Sequence, residues 1–394
     1  MIESPESAAA ELGSLPDPHS CALLLALARQ LVQADVKTID RLIANIQDWE
    51  PFFLLAQEHR LLPMLFPRLA EMGATVPPAI SARLEIEYRR NALHSLANAA
   101  ELISILGEFE RASVRAIPFK GIVLALSIYG DLAARQAGDL DLLIQHDDLP
   151  RAAPMLFARG YSLLTPIDPE GAPTIPNFEY SFERPADGMV VELRWRLQMT
   201  LPGFDRELGL DWVWPSHRTL TLAGAQVPCM SPERTLLVLC LHGTKHVWSR
   251  LLWICDVARL LASSPELNWD RVLSEARKTG LLRALAVGTI LAHGVCAADV
   301  PEKILRRFEA DRSALGVAQH VQETLFTAPG RLPKSRMPYY IRMLDFRDRV
   351  RYVGSGDFLR PVAKDREFIA LPRLLHPLYY LIRPIRMLRD RSAR

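Results

Sequence analysis

No apolar run in this chain reaches the roughly 20 residues that a membrane-spanning helix needs. The first residues, MIESPESAAAELGSLPDPHS, lack a basic stretch followed by an apolar core, so no secretory signal is read there. The expectation is a soluble, cytoplasmic protein. Cysteine is scarce: Cys21, Cys229, Cys240, Cys255 and Cys296 are odd in number and form no CxxC pair. That argues against a disulfide framework or a zinc cluster and for buried free thiols. Charge of one sign is also missing. Lysine and arginine number 47 against 45 acids, a net charge of +2. No long-range field calls for nucleic acid or for acidic lipid. No internal repeat marks a solenoid.

What is present is an ordinary folded composition over 394 residues, 49% hydrophobic and 23% charged, enough for two or three domains. Helical spacing of apolar residues covers 20–33, 39–47, 49–72 and 79–112, with Pro63 as a break in the third. At Val114 the texture changes. VRAIPF reads as a strand, GIVLALSIYG as a helix and GDLDLLI as a strand. DDLPRAAPMLFARGYSLL follows as a helix stopped near Gly160 and then a strand. NFEYSFERPADGMVVELRWRL reads as a hairpin turning at Pro185–Gly188. Helices resume at Ser231 and continue over 267–297 and 302–325. The expected class is α+β. A disordered start (1–18) precedes a helical N-terminal region (19–112), a mixed-sheet α/β core (113–228) and a helical C-terminal domain (229–328). The basic, proline-punctuated extension (329–394) reads as solvated or docked in preference to a weak membrane or protein contact.

GDLDLLI poses the chemical question: why would a strand bound for the interior carry two carboxylates? Asp139 and Asp141 share one face, while Leu140, Leu142 and Ile144 take the other. Two residues of rise separate them by roughly 6.6 Å, a spacing at which carboxylates converge on one divalent ion or a close pair. Unpaired and buried they would repel, and Mg²⁺, a hard cation that keeps positions open for phosphate oxygens, removes the penalty. Upstream, IPFKGIVLAL is a strand, Lys-Gly, then a helix. Gly121 admits a phosphate to the backbone N–H groups and Lys120 adds charge. The plainer reading is a simple turn with a solvated lysine. In MVVELRWRL, Glu192 alternates onto the polar face with Arg194 and Arg196. There it either completes a three-carboxylate site or makes a Glu–Arg cross-strand pair.

LHGTKHVWSRLLWICD spaces His242 and His246 four apart, as a zinc-protease helix does. The general-base position holds Gly243, which rejects that chemistry. On one unbroken helix, His242, His246, Trp253 and Asp256 would share roughly 80° of surface. They would then wall a nucleotide or acceptor pocket, with Lys245 near the phosphates; the alternative is a satisfied polar network between helices. Tyr129 and Arg194 are placed in the same substrate pocket.

Together, FKGIVLALSIYGDLAARQAGDLDLLI, VELRW and LHGTKHVWSRLLWICDVARLL resemble the bacterial uncharacterised nucleotidyltransferases of the polymerase-beta-like superfamily, from about residue 20 to about 300. The resemblance implies that Asp139, Asp141 and Glu192 hold Mg²⁺ or Mn²⁺, and that Lys120 and Gly121 hold the triphosphate. It implies that Arg135 contacts a phosphate or the acceptor, a surface cation being the plainer alternative. Lys-Gly replaces the superfamily's usual Gly-Ser or Gly-Gly, so the phosphate geometry differs. The expected activity is ATP or another NTP donating a nucleoside monophosphate to an unidentified small-molecule, saccharide or peptide acceptor. The rivals are a non-catalytic nucleotide-binding accessory protein and a phosphoryl-transferring enzyme. Two outcomes would count against catalysis: Glu192 on the far side of the sheet, or arginines standing in the cation's place.

Overall fold

The computed structural model describes residues 17–29, 36–136, 138–164, 178–197, 208–327, 337–344, 349–350, 365 and 368–392. The expected disordered start therefore lies almost wholly outside the described residues. Five helices lead: α1 (Pro18–Arg29), α2 (Val36–Ala44), α3 (Glu50–Glu58), α4 (Leu62–Glu71) and α5 (Pro78–Arg111). The break expected at Pro63 falls slightly earlier. Arg60 turns the chain with a φ of 59°. Pro63 instead sits in the first turn of α4, where its missing N–H costs nothing.

The sheet contains β1 (Ala116–Pro118), β2 (Leu140–Ile144), β3 (Ser162–Leu163), β4 (Glu179–Arg184) and β5 (Met189–Arg194). Its order is β1-β2-β5-β4-β3. Only β2 and β5 run parallel; the other pairs are antiparallel, so the sheet is mixed as expected. The β4–β5 turn falls at Pro185–Gly188, where the sequence places it. Alternation decides the faces. Leu140, Leu142, Ile144, Val191, Leu193 and Phe182 share one core with Leu102, Ile105 and Phe109 of α5. Leu149, Ala152 and Leu156 of α6 (Leu149–Ala158) join them. The opposite face carries Asp141, Glu192 and Arg194. Leu143, also on that face, packs into a second, helical core.

That second core joins what the sequence order separates. Leu24, Phe52 and Phe53 of the leading helices share it with α7 (Pro232–Lys245), α8 (Leu251–Ser263), α9 (Trp269–Thr279) and α10 (Leu282–Cys296). Residues from α11 (Glu302–Glu309) and α12 (Arg312–Thr324) complete it. Arg29 Nε donates to the Val295 carbonyl at 3.0 Å, tying α1 to α10. Two helix starts are capped by side chains: Asn268 accepts from Arg271 N–H, and Asp311 from Ser313 and Ala314 N–H. One element is not legible in the pattern. Arg218–Leu222 and Ala225–Cys229 form a hairpin, β6–β7, whose turn residues Ala223 and Gly224 both take positive φ. Leu222, Val227 and Cys229 from it extend the sheet core.

Candidate active site

The register of β2 on β5 answers the first of the two tests. Asp141 lies directly opposite Glu192, and neighbouring strands stand about 4.8 Å apart. Both carboxylates point away from the apolar core, and Asp139 lies one residue before β2 at the open end of the group. A hydrogen bond joins Glu192 to Asp141. Burial works to raise Asp141, but Lys120, Arg194 and that hydrogen bond outweigh it and hold the carboxyl below its usual range. Glu192 goes the other way, pushed up by burial and by the charge on Asp141. Burial and Asp141 also raise Asp139. The acids thus crowd one another, and two of them favour keeping a proton.

The second test goes against the expectation. Lys120 Nζ lies 3.2 Å from Asp141 Oδ1, and Arg194 Nε lies 3.4 Å from the same oxygen. Arg194 also bridges Glu192 at 2.5 Å and pairs with Glu179. An arginine and a lysine therefore sit on the carboxylates; Glu192 does pair with an arginine, but with Arg194 of its own strand and not across strands, where Arg194 meets Glu179. Among the described residues no three His, Cys, Asp or Glu side chains are already gathered as a metal-binding group. The donor chemistry still suits a hard divalent ion: Asp139, Asp141 and Glu192 offer only carboxylate oxygens, and a cation would relieve the mutual repulsion that raises the proton affinity of Asp139 and Glu192. Glu179 escaped the sequence reading. It faces Arg194 across the β4–β5 ladder, and the alternation of Glu179, Ser181 and Glu183 was the available signal.

Lys120 precedes Gly121, which opens a four-residue helical turn, Gly121–Leu124, that widens into a π-helix over Ala125–Tyr129. Gly121 has a φ of 56°, the left-handed region a Cβ disfavours. Lys245, at the end of α7, joins the same field. Burial and Arg194 depress its pKa, and Lys120 adds to the repulsion. Arg60, beside the α3–α4 junction, acts on Asp139 from a third direction.

The loop that delivers Asp139 is clamped from α5, whose inner face is polar at mid-helix. Asn91 Nδ2 donates to the carbonyls of Ala133 and Arg135 at 2.7 and 3.2 Å. Asn98 Nδ2 donates to the carbonyl of Gly138 at 3.2 Å, next to Asp139. Buried asparagines at that helical spacing were the signal the sequence reading passed over. Arg135 is buried in this loop. Its Nε and Nη2 each lie 2.9 Å from the Asp256 carboxylate, which also accepts from Tyr129 Oη at 2.9 Å. Arg135 is thus not the surface cation of the alternative reading. Its guanidinium is engaged by protein, one layer behind the carboxylates.

Asp256 is thereby drawn into a network between helices, whereas His242, His246 and Trp253 form an aromatic group. Their centroids lie 4.6, 5.4 and 5.0 Å apart. The unbroken helix supposed for them does not exist: α7 ends at Lys245, and Val247 and Trp248 are left-handed, with φ of 49° and 54°. Trp248 turns inward and is fully buried. A Cβ on Gly243 would stand 2.4 Å from its ring, so glycine there makes room for tryptophan. Burial and the charges of Lys120, His246, Lys245 and Arg135 push His242 well below its ordinary value, leaving a neutral imidazole among these cations.

The family described as uncharacterised nucleotidyltransferase matches residues 45–296. No curated protein matches the chain. Among solved structures, the antibiotic-resistance factor ANT(2'')-Ia is similar at 12% identity over 57% of this chain and 98% of its own, with a TM-score of 0.33. An antigenic nucleotidyltransferase-like protein from Paracoccidioides brasiliensis is similar at 21% identity over 48% and 91%, with a TM-score of 0.30.

Proposed function

This chain belongs to the uncharacterised nucleotidyltransferase family, and we propose that it transfers a nucleoside monophosphate from an NTP to a hydroxyl, phosphate or amine acceptor, with release of pyrophosphate. The observation that carries the reading is the in-register pairing of Asp141 with Glu192 on parallel strands, with Asp139 just before them. Asp139, Asp141 and Glu192 would hold Mg²⁺ or Mn²⁺. When bound, the ion neutralises phosphate oxygens and orients the attacking group. Arg194 would then keep Glu179, its cross-strand partner, as its principal counter-ion. Lys120 and the Gly121 amide would receive the β- and γ-phosphates, with Lys245 as a second cation on that side. Glu192 or Asp141, in its ionised form, would accept the acceptor's proton. Arg135, Tyr129 and Asp256 fix the loop that carries Asp139. His242, His246 and Trp253 supply an aromatic wall against which a base or acceptor could rest.

One observation favours a second reading. Arg194 neutralises the carboxylates without any metal, as expected of a fold kept as a non-catalytic binding platform. Incubation of pure protein with Mg²⁺ and each α-labelled NTP separates the two. Transfer should release pyrophosphate and add a whole nucleotide to an acceptor or to the protein itself. Asp139→Asn and Asp141→Asn should each lower it at least about a hundredfold, because metal stabilisation of a transition state is worth several kcal/mol. The melting temperature should rise further with Mg²⁺ plus NTP than with NTP alone. Added mass of a single phosphate would identify phosphoryl transfer. No label and no metal-dependent shift would leave the platform reading.

A further inference from the structure

The last described helix, α14 (Tyr379–Ser392), follows α13 (Met337–Met343) in chain order and exposes large apolar side chains to water. Arg383, Arg386 and Tyr379 turn toward the segment that precedes it. Arg383 Nη1 and Arg386 Nε reach the fully buried Asp365 at 3.2 and 2.6 Å. Tyr379 Oη accepts from Leu371 N–H at 2.9 Å and donates to the Ile369 carbonyl at 3.0 Å. Several of its apolar side chains face out. Leu381 and Ile385, one turn apart, are 66% and 61% exposed. Tyr380, Leu378 and Leu375 continue that surface at 49%, 42% and 44%. Water alone gives such an arrangement no reason to persist, because each exposed leucine forfeits the gain of burial.

The net charge of this segment of the sequence says what covers it. Residues 365–394 carry seven arginines against three acids, although the whole chain is nearly neutral at +2. Arg389 is exposed and lies over the Phe368 ring, 5.4 Å from its centroid. A second copy docked on the same face would bring two segments of like net charge together. An anionic surface would draw them in, and it has an apolar layer beneath to take up leucine, isoleucine and tyrosine. We propose that α14 lies in the plane of an anionic lipid bilayer, with Leu381 and Ile385 in the acyl boundary, and holds the enzyme at that surface.

The full chain should float with vesicles of phosphatidylcholine containing about 30% phosphatidylglycerol, and should stay behind with pure phosphatidylcholine. High salt should weaken the association. The double substitution Leu381→Ser/Ile385→Ser should lower partitioning about tenfold or more, with an unchanged melting temperature because both side chains are solvent-exposed. Failure to float, equal flotation of the variant, or equal binding to neutral vesicles would overturn the proposal. So would sedimentation showing a dimer that the same substitutions dissociate in the absence of lipid.

Discussion

Asp256→Asn tests whether the buried ion pair behind the carboxylates positions the site or serves the substrate directly. The Asp256 side chain is fully buried and that of Arg135 is 8% exposed. The carboxylate receives three hydrogen bonds of 2.9 Å, two from Arg135 and one from Tyr129. Asparagine keeps the shape, removes the charge and turns an amide N–H₂ toward the donors. The guanidinium is then left buried without its counter-ion, which costs about 3–5 kcal/mol. Against a total stability of about 5–15 kcal/mol, that is a loss visible in any unfolding curve. With a urea m-value of about 3 kcal/mol/M, the midpoint should fall by roughly 1 M or more. The double change Arg135→Met/Asp256→Leu removes both charges and should recover most of the loss, because a buried pair is often no better than an apolar replacement. By contrast, Asp141→Asn should cost less than Asp256→Asn, since the loss of the carboxylate that Lys120 and Arg194 share is partly offset by relief of repulsion on Asp139 and Glu192. If Asp256→Asn shifts stability by less than about 1 kcal/mol yet abolishes nucleotide transfer, Asp256 acts on the ligand and the positioning role is wrong.

Acid should destabilise the helical core through His59, which is fully buried and accepts Leu251 N–H on Nδ1 at 3.0 Å. Burial lowers its pKa from 6.5 to about 3. The unfolded chain therefore takes up a proton that the folded chain refuses. The His59 contribution is intact above pH 6.5 and is lost as pH falls toward about 3, at about 1.4 kcal/mol per unit. His59→Asn should flatten the stability–pH slope between 6.5 and 5 by that amount, and an unchanged slope in urea melts would refute it. Gly121→Ala should cost about 1–2 kcal/mol in thermal unfolding from its left-handed backbone alone. It should also weaken NTP binding measured by calorimetry; full affinity would remove Gly121 from the phosphate site.

Much of the sheet was legible because a half-buried strand has a period of two. Leu140, Leu142 and Ile144 could be assigned to one face and Asp141 to the other without coordinates, and the hairpin turn at Pro185–Gly188 could be read from its residues. The β6–β7 hairpin was not, because TLTLAGAQV offers no strong turn pair and its strands are short. The break after Lys245 was hidden for a different reason. It depends on Trp248 entering a hole that Gly243 and Gly288 leave open, a contact between residues far apart in the chain.

By itself, the sequence determined which side chains carry charge and on which face of its own strand each one lies, since that follows from local backbone geometry. Only the tertiary structure decided that β5 runs parallel beside β2 with Glu192 opposite Asp141, since register is set by how two distant segments bury their apolar faces together. It also decided that Arg135 turns to Asp256 and that Arg194 and Lys120 lie on Asp141. Where several charges of both signs share one buried surface, the partner each takes is a matter of distance in space, and distance along the chain does not encode it.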